Sequence, residues 1–486
     1  MIQTPHVDWL ALSPTLALLG AAAIALLGAV TVPRQALRAF SVAVTAVGFV
    51  VSAVFAAILF DRSPDPTILL SEGMTRDQLG ALAAIILALI GLVVVLVSWG
   101  AGRKDHVGEY YALLTASAAG MVFFVSASSL MTMFLSLEWF SISLYVLCAL
   151  DTHRRESLEA GLKYLIIGSF GSGVLLFGCA LVYGSTGELG FSAIKEATGA
   201  DDPLFVTGMA MILAGLAFKV SAAPFHMWTP DVYQGSPTSV TAFMAAATKT
   251  AAMVVLLRVL VTAFPEQSDV WTIAVAVLAA ISLVWGNLGA LAQRDLKRIL
   301  AYSSISHAGF MLMAIAANSE LGGEALLYYL VPYSAMSVGA FAVVAARERE
   351  LQAPVTLDAL AGFGWERPYH GIALWIFMLG MAGFPLTGGM FGKLFVFSAA
   401  YDAGDWWLVL IGVAATAVSL GYYLNVVRCL YMRSGTELRL VPAGGSPPRD
   451  SALSVAIGAA VAVTVGSFFV VQPILDAASD AASSLF

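Results

Sequence analysis

Apolar runs of about twenty residues, separated by short polar breaks, recur along the whole chain, and no other feature limits its fold so severely. Fourteen can be drawn: 8–31, 37–60, 78–100, 109–128, 130–150, 157–184, 204–224, 237–263, 269–292, 298–316, 322–346, 368–401 with a break, 405–432 and 451–473. A helix needs about 20 apolar residues to cross a hydrocarbon layer about 30 Å thick. Only 11% of the residues are charged, against about 25% in soluble domains. The fold class is therefore all-α polytopic membrane protein, with about fourteen transmembrane helices. The first run, WLALSPTLALLGAAAIALLGAV, has no basic stretch before it and is too long for a signal-peptide core, so it reads as a first span.

Sidedness follows from lysine and arginine. Sixteen of the 24 basic residues fall in alternate loops: Arg34, Arg38, Arg103, Lys104, Arg154, Arg155, Arg294, Lys297, Arg298, Arg347, Arg349, Arg367, Arg428, Arg433, Arg439 and Arg449. The opposite loops and both tails hold only Arg62, Arg76 and Lys195. This bias places the first set in the cytoplasm and both termini outside, and it favours an even number of spans. Trp406 and Trp407 read as an interfacial aromatic anchor.

Two segments break their own helices. AFKVSAAPFHMWTPDVYQGSPTSVTAF carries Pro224, Pro230, Gly235 and Pro237; LGMAGFPLTGGMFGKLFVF carries Gly383, Pro385, Gly388 and Gly389. Irregular backbone at membrane depth survives only where protein buries it or a wet cavity lies beside it. The breaks fall in the seventh and twelfth spans, five apart. That spacing predicts two five-helix repeats, helices 4–8 and 9–13, of opposite orientation. The units are then 1–104 (helices 1–3), 105–265 (first repeat), 266–435 (second repeat) and 436–486 (helix 14 and a short tail).

Each break sits a few residues from a lysine, and four charges lie in apolar surroundings: Glu138, Lys219, Lys249 and Lys393. A charge at the bilayer centre costs roughly 2.5–3.5 kcal/mol on insertion scales, and such residues mark proton or ion routes. The bland alternatives are a structural Glu138–Lys219 ion pair, and snorkelling for Lys393. His226 and His307 are further candidates, since a neutral imidazole passes a proton between its nitrogens; each also reads as a hydrogen-bonded packing residue. Tyr302, Ser303, Ser304 and Ser306 form a polar patch beside His307, read equally as a water-wire lining or as helix glue. Arg258 and Lys163 read as snorkelling residues, and Arg154, Arg155, Lys297 and Arg298 as topology determinants. Cys148, Cys179 and Cys429 show no metal-ligand spacing and read as inert apolar residues. Without a nucleotide fingerprint, cysteine cluster or haem motif, the chain is expected to bind no cofactor or metal, to do no redox chemistry and to have no nucleic-acid partner.

Four stretches together resemble a known family: SLEWFSISLYVLCAL with SLEAGLKYLIIGSFGSGVLLFGCALVYGSTG; LAFKVSAAPFHMWTPDVYQGSPTSVTAF with ATKTA; NLGALAQRDLKRILAYSSISHAGFMLM; and MAGFPLTGGMFGKLFVF. Over roughly 105–430 the chain is similar to the antiporter-like subunits of respiratory complex I, and most to those called subunit N. Lys393 stands where the M subunits carry a glutamate, and the long lateral helix of the L subunits is not matched. Multi-subunit sodium–proton antiporters share the repeat and are the second reading; one deep acid against three deep lysines favours protons over sodium.

The resemblance implies that Glu138 and Lys219 form the acid–lysine pair of a first half-channel, that Lys249 is the central relay lysine, and that Lys393 ends the second. It implies partners among the other membrane subunits, subunit M included. FMN, iron–sulfur clusters, NADH and quinone would be handled by other subunits, and the location would be a bacterial plasma membrane. A carboxylate beside a buried lysine favours its charged form, and its withdrawal favours release of the proton. Moving one charge across costs roughly 2.3 kcal/mol per 100 mV, and one or two pKa units supply about 1.4–2.8 kcal/mol. A modest change in pairing is thus enough to gate one proton.

Overall fold

Helices begin where the preceding residue can accept the first free backbone N–H groups. Asp8, Asp77, Ser129, Asp202, Asp295, Ser319 and Asp450 each do so through their side chains. The computed structural model describes residues 7–101, 105–197, 202–433 and 450–486. Its spans are α1 (Trp9–Thr31), α2 (Arg34–Arg62), α3 (Gln78–Trp99), α4 (Val107–Val125), α5 (Leu130–Cys148) and α6 (Arg155–Thr186). The seventh is split into α7a (Pro203–Lys219) and α7b (Thr229–Gly235). Then come α8 (Thr238–Ala263), α9 (Ser268–Leu291), α10 (Leu296–Ala316) and α11 (Glu320–Leu351). The twelfth is split into α12a (Pro368–Ala382) and α12b (Gly388–Asp402), followed by α13 (Trp406–Met432), α14 (Ser451–Phe469) and α15 (Val471–Ser483).

Among the described residues, twelve helices are long and apolar enough to cross a membrane. The two broken ones, α7 and α12, complete the fourteen expected. Several boundaries differ from the sequence reading. The seventh span ends at Lys219 itself, and the fourteenth stops at Phe469 before a separate terminal helix, α15. The loop 61–77 contains a hairpin, Thr67–Leu69 with Met74–Arg76. Arg347 and Lys297, assigned to loops, lie on α11 and α10 and are buried. Arg103, Lys104, Arg439 and Arg449, and the unit boundaries at 104 and 435, lie outside the described residues.

The bundle has a centre and a periphery. All of the apolar window of α8 is buried, and α10 and α11 are buried over 94% and 89% of theirs. A helix apolar all round and enclosed all round lies inside a bundle, so Lys249 on α8 is central. By contrast α1, α2, α6, α13 and α14 are buried over only 33–39%, and α1, α2 and α6 leave Leu27, Val47, Ile166 and Phe170 exposed to the surroundings. α6 packs on α7a, α9 on α10, and α11 on α12a and α12b. A buried ion pair ties α3 to α8. Arg258 donates to both Asp77 carboxylate oxygens and, through Nε, to the Val125 carbonyl at 3.1 Å. Arg258 therefore does not snorkel. Lys163, half-buried, instead bonds Glu159 and Asp231, each at 2.8 Å.

Candidate functional site

Each break frees backbone groups, and side chains take them up. After Lys219, Ser221 adopts a left-handed backbone (φ +63°), a region few non-glycine residues occupy. Trp228 Nε1 donates to the Phe218 carbonyl at 3.1 Å, beside the Ser221 N bond that the same carbonyl accepts, Ser282 Oγ accepts from Ala223 N at 2.8 Å, and Thr229 Oγ1 donates to Ser221 Oγ at 2.8 Å. Gly383 closes α12a with φ +87°, where a side chain would be strained. The Ala382 carbonyl freed there accepts from Lys393 Nζ at 3.0 Å. The negative end of the helix dipole thus faces an ammonium.

Lys219, Lys249 and Lys393 are 3%, 1% and 4% exposed, which rules out snorkelling for Lys393. Lys219 Nζ donates to Ser141 Oγ at 2.7 Å and Tyr164 OH at 3.3 Å, and lies 4.7 Å from the Phe140 ring centre. Lys249 Nζ donates to the Ser304 carbonyl and to Ser304 Oγ, the latter at 2.6 Å. Lys393 Nζ lies 4.7 Å from the Phe310 ring centre, a cation–π contact. Among the described residues none of the three has a carboxylate within 4.0 Å.

The direct Glu138–Lys219 contact expected from the sequence is therefore not present. Ser141, one turn along α5 from Glu138, occupies the place at the ammonium, and Glu138 Oε1 is buried without a hydrogen-bond partner.

Beyond Lys249 lie two hydrogen-bonded groups of hydroxyls, the second built on an imidazole, one turn apart on α10. Ser304 Oγ bonds Tyr333 OH at 2.9 Å. One turn further along α10, His307 Nδ1 bonds Tyr329 OH at 2.7 Å and Nε2 bonds Tyr423 OH at 3.1 Å. A neutral imidazole has one donor and one acceptor nitrogen, so His307 links the two tyrosines. Tyr423 also bonds Ser303. Phe310 separates His307, at 6.3 Å between ring centres, from Lys393.

His226 is set apart from these groups. It is buried edge-on to Trp285, 5.9 Å between centres, and its Nδ1 has no partner. Of the polar patch, Ser303 and Ser304 belong to these groups and Ser306 accepts from Asn287 Nδ2 at 2.9 Å. Tyr302 packs against Gly289, where a Cβ would come within 2.4 Å of its ring.

Sequence reasoning passed over Ser141, Tyr164, Tyr329, Tyr333 and Tyr423. The i, i+4 spacing of Tyr329 and Tyr333 within an apolar span was the available signal. Among the described residues no group of three His, Cys, Asp or Glu is placed to hold a metal ion, and the three cysteines are free and buried.

A helical membrane bundle with two broken spans and isolated lysines strung along its interior has the architecture of an antiporter-like transport subunit. The comparisons agree. The family model described as NADH:quinone oxidoreductase/Mrp antiporter, transmembrane, matches residues 127–419. NADH-quinone oxidoreductase subunit N of Granulibacter bethesdensis is 44% identical over 383 residues, covering 78% of this chain and 79% of that protein. A chain of respiratory complex I from Thermus thermophilus with bound aureothin is 35% identical, with a TM-score of 0.79 over 96% of this chain and 99% of that one. A chain of the Mrp complex from Dietzia sp. DQ12-45-1b has a TM-score of 0.85 at 21% identity over 98% and 97%, a likeness of fold alone. This chain belongs to the NADH:quinone oxidoreductase/Mrp antiporter transmembrane family.

Proposed function

We propose that this chain is the proton-translocating subunit N of an NADH–quinone oxidoreductase, and that it moves protons while electron transfer takes place in other subunits. The carrying observation is the row of three buried lysines that, among the described residues, have no carboxylate within 4.0 Å, with two hydrogen-bonded groups beside them: Ser304 and Tyr333 at Lys249, and Tyr329, His307, Tyr423 and Ser303 one turn further along α10. Such lysines can hold or release a proton as their surroundings change, which a paired structural lysine cannot do as easily.

In this reading Glu138 acts on Lys219 at a distance. Drawn toward Lys219, it favours the charged lysine; drawn away, it favours transfer toward Lys249. Ser141 and Tyr164 hold the ammonium in the meantime. From Lys249 the proton passes by Ser304 and the His307–tyrosine cluster toward Lys393. Phe310 is the dry step, and water must cross it before the second half-channel conducts. Residues 105–265 and 266–435 are the two inverted repeats that carry these half-channels.

The basic loops face the cytoplasm of a bacterial plasma membrane, with both termini outside. The partners are the other membrane subunits, an M-type neighbour among them, and FMN, iron–sulfur clusters, NADH and quinone belong to other subunits. A sodium–proton antiporter subunit is the second reading, supported by the family description, which spans both groups, and by likeness of fold. Purifying the tagged chain from its membrane separates them. Co-purification with NADH-oxidising, quinone-reducing activity and sodium-independent proton uptake is expected. A complex without NADH oxidation whose proton movement needs sodium would overturn the assignment.

A further inference from the structure

On the face that carries the basic loops, two cavities of about 600 and 400 Å³ adjoin, sharing Arg154, Glu348 and Arg349 in their walls. The first also borders Asp231 and Lys297, the second Thr238 and Ser239. A lysine that merely set topology would sit in water. Lys297 is instead 2% exposed. Its ammonium donates to the Ser236 carbonyl at 2.8 Å and Thr238 Oγ1 at 3.1 Å, and lies 3.7 Å from Glu348 Oε1. Thr238 Oγ1 in turn donates to Glu348 Oε2. Lys297 thus borders the cavity while almost wholly buried, and lies beside the carboxylate that both cavities share.

Its inward side points to the relay. Lys297 and Ser304 stand seven residues apart on α10, two turns on one face and about 10 Å of rise. Ser304 is the group that receives the Lys249 ammonium. Polar groups punctuate the interval. Ser236 Oγ is buried beside the Cys148 thiol without a hydrogen-bond partner of normal geometry. The buried Tyr233 ring of α7b places its hydroxyl beside Ser304. α8, which leads from Thr238 to Lys249, contains a π turn over Met244–Thr248, and the Ala245 carbonyl within it accepts from Tyr333 OH at 3.2 Å. Such turns interrupt the regular ladder and recur at functional sites.

We propose that Lys297, held by Glu348 and Thr238, is the gate through which a proton passes from the charged cavity to Lys249. This rests on the relay reading of Lys249. One N–H bond of the Lys297 ammonium breaks. The proton passes along water and the Ser236, Tyr233 and Ser304 hydroxyls, each accepting one proton and donating one. A new N–H bond forms on the Lys249 amine. The neutral Lys297 amine then takes a proton from water in the cavity, beside Glu348, and the hydroxide left is neutralised by exchange with the cytoplasmic solution. Charge is conserved at each step and water is the only other reactant.

The test uses the assembled complex in inverted membrane vesicles, with Lys297→Arg, Lys297→Met, Lys297→His, Glu348→Gln and Lys249→Met compared. NADH oxidation with an artificial acceptor reports assembly, and NADH-driven acidification reports pumping. Arg never releases its proton, so Lys297→Arg is expected to pump at least about tenfold more slowly, as slowly as Lys297→Met, with Lys297→His above both. Native pumping in Lys297→Arg makes the lysine a fixed charge and overturns the gate. Native pumping in Lys249→Met overturns the relay itself. A dead Lys249→Met beside native Lys297→Arg and Lys297→Met removes the gate alone. Where the Lys297 variants fail to assemble, Glu348→Gln decides: slowed pumping supports the gate and native pumping overturns it.

Discussion

Replacing Lys249 by methionine removes an ammonium and leaves a side chain of nearly the same length, so packing at the bundle centre is conserved. The insertion cost of a central charge, roughly 2.5–3.5 kcal/mol, is relieved. Two hydrogen bonds from a charged donor to Ser304 are lost, each worth about 1.5–3 kcal/mol. Taking midpoints, the net loss is about 1.5 kcal/mol. No group is stranded, because Ser304 Oγ keeps Tyr333 OH at 2.9 Å and its carbonyl keeps its place in the α10 ladder. The loss of about 3–5 kcal/mol that follows breaking a buried ion pair does not arise, since among the described residues no carboxylate lies within 4.0 Å. The expected outcome is a complex that assembles at near-native yield, oxidises NADH with an artificial acceptor, and pumps at least about tenfold more slowly. Lys249→Arg should be as slow as Lys249→Met, and Lys249→His faster than either. Acidification of inverted vesicles per NADH oxidised measures all three. Native pumping in the methionine variant, with stability lost on the scale of a broken ion pair, would refute the reasoning: the lysine would then be a prop.

Three further outcomes follow from other parts of the molecule. Arg258→Met strands the Asp77 carboxylate, whose side chain is 1% exposed, and should cost about 3–5 kcal/mol, most of it recovered by adding Asp77→Asn, which keeps the α3 cap. The temperature at which the buried Cys148, Cys179 and Cys429 become reactive to a thiol reagent reads this cycle, and additive losses would contradict the pairing. Tyr423→Phe removes the His307 Nε2 and Ser303 contacts and should slow pumping about tenfold; an unchanged rate means that His307 passes nothing through Tyr423. The proposed topology, with both termini outside, predicts that a cysteine at position 485 reacts with an impermeant reagent in intact cells and that one replacing Gln352 at the end of α11 does not. The opposite pattern inverts the topology.

Residues within one helical turn settled much of this molecule. A twenty-residue run of apolar side chains has no stable place except a bilayer or a bundle, so the fourteen spans were legible from hydropathy alone. Proline and glycine act on the backbone where they stand, so the breaks after Lys219 and before Lys393 were legible too, and the lysines stood out because a lone charge in such a run is costly. The partners of those charges were not legible. α8 is enclosed on every side, and a helix apolar all round carries no periodicity to say which face meets what. Lys249 meets Ser304 across 55 residues of sequence, and Arg258 meets Asp77 across 181. Ser141 and Tyr164, rather than Glu138, receive Lys219, and Lys297, written among the loop charges, lies buried against Glu348. These contacts depend on how each helix is rotated about its axis and how deep its neighbours sit. Close packing of the whole bundle sets both, and no stretch of the chain holds that information alone.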